Sequence, residues 1–183
     1  MREYFSIPNI LSYFRLALIP VYFYVYFDAQ DAEGYFKAAV IIGISGLTDM
    51  LDGFIARHFN QITDWGKFID PVADKLTLAS IALSLAFRFP LMCAVFALYL
   101  VKEGYMLVMG AVMLRQGYRM DGARWYGKVC TAVTYGVTCS LLVVPNMPRR
   151  VSNGLICLCM AVTVMAFIGY VNFYCRVRRS RRG

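Results

Sequence analysis

The sequence predicts an all-α, polytopic membrane protein, with six transmembrane helices preceded by a short N-terminal interfacial helix. Three observations carry the prediction. Hydrophobic residues make up 60% of the 183-residue chain and charged residues 16%, with a mean hydropathy of +0.56, which is too apolar for a soluble domain. Apolar runs of about 20 residues, the length that crosses a hydrocarbon core, recur from end to end. The basic residues gather at the ends of these runs and in the tail Arg176-Val-Arg-Arg-Ser-Arg-Arg-Gly183. No soluble domain, internal repeat or low-complexity linker interrupts them, so residues 1–183 read as one domain.

Met1 to Ile7 form the interfacial piece, with Arg2 and Glu3 polar among Tyr4, Phe5 and Ile7. Pro8 suits a helix start and Asn9 is placed to cap it. The first span covers about residues 10–27, with Tyr and Phe collected toward its far end as in an aromatic belt. Arg15 lies one to two turns inside, where it either snorkels to the interface or belongs to a ligand site. The length of this run, its interruption by Arg15 and the lack of an A-x-A exit speak against a cleaved signal peptide. The stretch 28–34 contains Asp28, Asp31 and Glu33 and no Lys or Arg, as an outer loop would.

The second span covers about 36–55 and the third about 66–87, joined by a polar inner loop with His58, Asn60, Gln61, Thr63 and Asp64. Arg88-Phe89-Pro90 turns outside. The fourth span, about 91–114, holds Lys102-Glu103 near its middle, either as a self-neutralised pair or with Lys102 reaching a cavity. Arg115, Arg119, Asp121 and Arg124 mark a basic inner loop before a fifth span at about 126–144. Pro145 to Arg150 is an outer loop whose Arg149 and Arg150 run against the positive-inside bias, and the sixth span covers about 151–174. Six spans place both termini in the cytoplasm.

The formal net charge of +8 fits a topology signal and attraction to anionic headgroups, and not a nucleic-acid partner. Six cysteines lie in or beside apolar runs without a C-x-x-C pair, and Cys157 and Cys159, two apart, point in different directions on a helix. They read as small apolar residues.

The chemistry is concentrated in 49–74. Asp49 and Asp52 are three apart and Asp70 and Asp74 four apart, so each pair projects from one helix face. Both pairs fall near the cytoplasmic ends of adjacent antiparallel spans. Four such carboxylates repel one another unless cations lie between them, and oxygen-only ligation suits magnesium, calcium or manganese better than zinc. Gly53, Ala56 and Gly66 leave the neighbouring surface bare for a bulky ligand or partner helix. A metal-phosphate site is one reading; a buried ion-pair network with Arg57, Lys67 and Lys75 is the other.

Written as D-x2-D-G-x2-A-R-x8-G-x3-D-x3-D, the residues Asp49, Asp52, Gly53, Ala56, Arg57, Gly66, Asp70 and Asp74 resemble the signature of the CDP-alcohol phosphotransferase family, integral membrane enzymes of phospholipid synthesis. Pro8-Asn9-Ile10-Leu11-Ser12-Tyr13-Phe14-Arg15 is similar to its P-N-x-L-T-x-x-R opening, with Ser12 in place of Thr. The resemblance implies transfer of a substituted phosphate from a CDP-linked alcohol to an acceptor hydroxyl, with release of CMP. It implies Asp49, Asp52, Asp70 and Asp74 as ligands of a two-ion magnesium or manganese site, and Asp74 as general base. Asn9, Gly53, Ala56, Arg57 and Gly66 would line the CDP pocket, and Arg15, Lys102, Arg124 and Lys128 would meet an acceptor phosphate. The implied partners are CDP-diacylglycerol, a small phosphorylated or lipid alcohol, membrane lipid and a second copy of the chain. The implied setting is a bacterial cell membrane with the site on the cytoplasmic face.

Pro71 after the third Asp and Lys75 after the fourth resemble the phosphatidylglycerophosphate synthase branch, whose acceptor is glycerol 3-phosphate, and the related cardiolipin synthases, which use phosphatidylglycerol. That branch shows an Arg-Glu pair in its fourth span and G-K-x-K-T-x-x-Q at the start of its fifth. Here Lys102-Glu103 and Gly127-Lys128-Val129-Cys130-Thr131-Ala132-Val133-Thr134 stand there, with Cys130 and Thr134 departing. A divalent-cation transporter or a lipid-binding scaffold is the alternative of another class, but the acids lie toward one face only and no half-to-half similarity supplies a path across.

Overall fold

The computed structural model describes residues 6–58, 63, 65–115 and 125–179. Among them every regular element is a helix: α1 (Ile7–Asp28), α2 (Ala32–His58), α3 (Gly66–Arg88), α4 (Pro90–Arg115), α5 (Trp125–Val143) and α6 (Arg149–Arg179). Three are long and apolar enough to cross a membrane: α1, α4 and the Arg149–Val177 portion of α6. Most of the interfacial piece expected at 1–7 lies outside the described residues. The chain forms two compact units, Met1–Leu85 with Cys139–Asn146, and Ala86–Thr138 with Met147–Gly183.

In the first unit, α1 starts with Ser6 at the N-cap position and Pro8 in the first turn. This corrects the expectation that Asn9 caps the helix. A proline lacks an N–H and has a fixed φ, so it is tolerated where the first-turn donors are unbonded anyway, and the helix begins before Pro8. The buried residues Asn9, Ser12, Arg15, Tyr22 and Tyr26 recur at three, four or seven positions and form one stripe. Ile10, Phe14, Val21 and Tyr24, off that stripe, are exposed. Polar inside and apolar outside is the arrangement hydrocarbon surroundings demand.

Asp31 accepts a hydrogen bond from the Gly34 N–H, 2.8 Å, and so caps α2. α2 packs along α1 and buries Ala38, Ile42, Ser45, Thr48 and Asp52, mostly short side chains that let two backbones approach. The start of α3 is held by Thr63 Oγ1, which accepts from the Gly66 N–H at 2.9 Å. Farther along, α3 buries Ala73, Thr77, Ile81 and Ser84, and the hydroxyls of Ser84 and Tyr22 are 2.5 Å apart.

In the second unit α6 packs along α4 and buries Ser152, Ile156, Cys159, Thr163, Ala166, Tyr170 and Tyr174, at steps of three and four residues. α5 meets this stripe: the Cys159 thiol donates to Thr134 Oγ1 at 3.5 Å, and a Cβ on Gly127 would sit 2.1 Å from the Tyr170 hydroxyl. Only glycine leaves room for that tyrosine. All six cysteines are free, with Cys130 and Cys159 buried.

Candidate active site

One face of α1 organises the acidic cluster. Asn9, Ser12 and Arg15 follow one another at three-residue steps, so their side chains spread over about a third of the helix circumference, on its buried side. Each engages a different part of α2, α3 or the segment between them. The Asn9 amide donates to Thr63 Oγ1 at 3.1 Å, just before α3. The Ser12 hydroxyl donates to Asp70 Oδ1 at 2.5 Å and lies 3.2 Å from the Pro8 carbonyl. Arg15 reaches both helices at once.

The Arg15 guanidinium gathers three carboxylates. Nη1 lies 2.7 Å from Asp49 Oδ1 and also donates to Asp74 Oδ1, while Nη2 donates to Asp52 Oδ2. Arg15 and Asp52 are buried, with side chains 2% and 5% exposed. Asp49 and Asp74 are nearly half exposed, at 46% and 45%. A buried cation thus holds two carboxylates that still present oxygens outward.

The bare surface expected at Gly66 is accounted for by packing against Asn9. A Cβ there would lie 2.7 Å from Asn9 Oδ1 and 3.0 Å from Thr63 Oγ1, so the α3 start closes on Asn9 because residue 66 has no side chain. Trp65 adds a second tie, its indole N–H donating to the Tyr13 hydroxyl at 2.5 Å. These contacts set the position of the first turns of α3, and with them Asp70 and Asp74, against α1.

The donor set suits a hard divalent cation. Asp49, Asp52 and Asp74 around Arg15, with Asp70 on Ser12, set four carboxylates against one guanidinium, and oxygen ligands without nitrogen or sulfur suit magnesium, calcium or manganese. Arg15 itself is a cation lodged among three of them. Among the described residues, no three Asp, Glu, His or Cys side chains are grouped as a ready metal cage; here the carboxylates converge on Arg15.

The remaining expected residues fall elsewhere. Gly53, Ala56 and Arg57 lie on α2, but their side-chain positions, like the whole of Arg124, are outside the described residues. Lys102 and Lys128 belong to the second unit. Lys102 is 4% exposed, with Nζ 2.8 Å from Glu103 Oε1 and 5.4 Å from the centre of the Tyr99 ring; Lys128 is exposed. Ser12 and Thr63 were not among the expected site residues. Ser12 had a legible signal, since it stands midway between Asn9 and Arg15 on their face. Thr63 sits in an inter-helix segment and had none.

Compared with known proteins, residues 5–168 match the family model described as CDP-alcohol phosphatidyltransferase. A Streptomyces coelicolor protein named cardiolipin synthase (CMP-forming) is 35% identical over 130 residues, 69% of this chain. An Escherichia coli protein named CDP-diacylglycerol–glycerol-3-phosphate 3-phosphatidyltransferase is 45% identical over 75 residues, 41% of this chain. The chain spans 60% of the length of the first relative and 41% of the second.

Proposed function

The chain belongs to the CDP-alcohol phosphatidyltransferase family, and from that premise we propose that it transfers the phosphatidyl group of CDP-diacylglycerol to glycerol 3-phosphate, giving phosphatidylglycerophosphate and CMP. The observation that carries the reading is the convergence of Asp49, Asp52 and Asp74, from two helices, on the buried Arg15. Such a cluster has little structural value of its own, because buried ionic groups are often matched by apolar packing. It has value where phosphate charge must be handled.

Asp49, Asp52, Asp70 and Asp74 are the residues to hold two magnesium or manganese ions, which when bound offset diphosphate charge and stabilise the leaving oxygen. The rest falls to the chain. Asp74, exposed on one side, takes the proton of the acceptor hydroxyl on a carboxylate oxygen. The acceptor oxygen bonds to the lipid-side phosphorus as the bond from that phosphorus to the CMP oxygen breaks, and Asp74 then passes its proton to water. Arg15 orients Asp74 and Asp49, and Ser12 orients Asp70. Lys102, Arg124 and Lys128 serve the acceptor phosphate, and Gly53, Ala56 and Arg57 the CDP.

The same reading includes a single domain of six spans in a bacterial cell membrane, homodimeric, with both termini and the acids at the cytoplasmic face. There the diacylglycerol tails stay in the leaflet while the diphosphate and the soluble acceptor meet at headgroup level. A second acceptor has specific support: the relative named cardiolipin synthase covers the larger share of this chain, 69% against 41%, which favours phosphatidylglycerol.

The test is CMP release by the purified protein in liposomes with CDP-diacylglycerol, magnesium or manganese, and each acceptor in turn. Release with glycerol 3-phosphate alone supports the first reading and release with phosphatidylglycerol alone the second. No release with either, nor with inositol phosphate or serine, would overturn both.

A further inference from the structure

Within the second unit, the start of α5 and the end of α6 enclose a cavity of about 240 Å³ lined by Trp125, Tyr126, Gly169, Asn172, Phe173 and Arg176. Its floor is firmly built. Tyr126 stands edge-on to Tyr170, ring centres 4.8 Å apart, and its hydroxyl donates to the Gly169 carbonyl at 3.3 Å. A Cβ on Gly169 would meet the Tyr126 ring at 3.2 Å, so the bare backbone there gives the ring its seat. The rim is polar and open: Asn172 and Arg176, one turn apart on α6, are exposed and make no hydrogen bond or ion pair with another described residue. Trp125 is 73% exposed.

Depth says what the cavity faces. The apolar part of α6, Arg149–Val177, has 29 residues and so is about 43 Å long, against roughly 30 Å of hydrocarbon. Its last turns therefore reach the headgroup layer, where Trp and Tyr settle and arginine meets lipid phosphate. Arg178, Arg179, Arg181 and Arg182 follow in the sequence, so this stretch of sequence is strongly positive. A zwitterionic headgroup would bring an ammonium into that field; an anionic one would not.

We propose that this cavity binds one anionic phospholipid, its phosphate between Arg176 and Asn172 and its acyl chains against Trp125, Tyr126 and Phe173. The cavity shares no lining residue with the acidic cluster, and the proposal does not depend on the transferase reading.

The experiment uses the full chain with Trp65→Phe, which leaves Trp125 as the single tryptophan of the two in the sequence. The protein is placed in phosphatidylcholine liposomes that contain a small share of acyl-brominated phosphatidic acid or, in parallel, acyl-brominated phosphatidylcholine. Phosphatidic acid has no headgroup alcohol, so it tests this site without serving as an acceptor. The expected result is Trp125 quenching about fivefold more effective per mole for the anionic lipid, the factor that one interfacial arginine supplies. That preference should disappear in Arg176→Ala, persist in Asp74→Asn and persist in the double variant Arg181→Ala, Arg182→Ala. Equal quenching by both lipids overturns the proposal. So does a preference that survives Arg176→Ala, or one lost only with Arg181 and Arg182, which would assign the attraction to the tail.

Discussion

The guanidinium of Arg15 and the carboxylate of Asp52 are an ion pair buried on both sides, joining α1 to α2 at side-chain exposures of 2% and 5%. Arg15 Nη1 simultaneously serves Asp49 and Asp74, so the pair is the anchored end of a network whose other end faces outward. Breaking a buried pair from one side leaves an uncompensated charge. Arg15→Met should therefore destabilise the protein by about 3 to 5 kcal/mol, read as a lower thermal unfolding midpoint in detergent. Adding Asp52→Asn should recover part of the loss, because the stranded charge is then gone. Additive losses would show that the two residues do not act as a pair.

Asp74→Asn keeps an oxygen that can accept from Arg15 but removes the proposed base. CMP release should fall by about two to four orders of magnitude while the unfolding midpoint stays close to that of the parent. A variant that retains most of its rate would remove Asp74 from the proton-transfer role.

Gly66→Ala places a methyl group 2.7 Å from Asn9 Oδ1 and 3.0 Å from Thr63 Oγ1. The Asn9 and Thr63 side chains or the α3 start must give way, at a cost of about 1 to 3 kcal/mol, and the hydrogen bonds that tie the start of α3 to α1 are disturbed. Asn9→Ala in the same chain relieves the closest contact, so the double variant should be less impaired than the sum of the two single ones. Circular dichroism melts and CMP release together measure this.

Ser12→Ala deletes the donor to Asp70 without touching a carboxylate. Partners that orient a metal ligand are worth about ten- to a hundredfold in metal affinity, so the magnesium concentration giving half-maximal CMP release should rise by about tenfold or more. An unchanged magnesium dependence would show that the Ser12–Asp70 hydrogen bond does not orient a metal ligand.

Gly127→Ala would put a Cβ 2.1 Å from the Tyr170 hydroxyl. It should lower the unfolding midpoint, and Tyr170→Phe should restore most of it, since only the hydroxyl lies that close; the next ring atom is at 3.1 Å.

How much of this was legible differs by level. The all-helical class followed from apolar run length and composition, and the described helices lie where those runs do. Helix ends were less legible. Asn9 looked like a cap beside Pro8, yet α1 begins at Ile7, because a proline is tolerated inside the first turn and Asn9 finds a partner at Thr63. That partner is 54 residues away, beyond the reach of any local pattern.

By itself the sequence determined which residues share a helix face: Asp49 with Asp52, Asp70 with Asp74, and Asn9 with Ser12 and Arg15, because helical period alone sets those directions. Only the tertiary structure decided what each face meets. Spacing left Arg15 free to snorkel or to bind a ligand; packing α1 against α2 and α3 turned it onto three carboxylates, 34 to 59 residues away in the chain, and gave Asp70 to Ser12 instead. The reason is physical. Period is a property of one helix, whereas a buried charge takes its partner from whichever helices close around it, since in a dry interior leaving it unpaired is the costlier state.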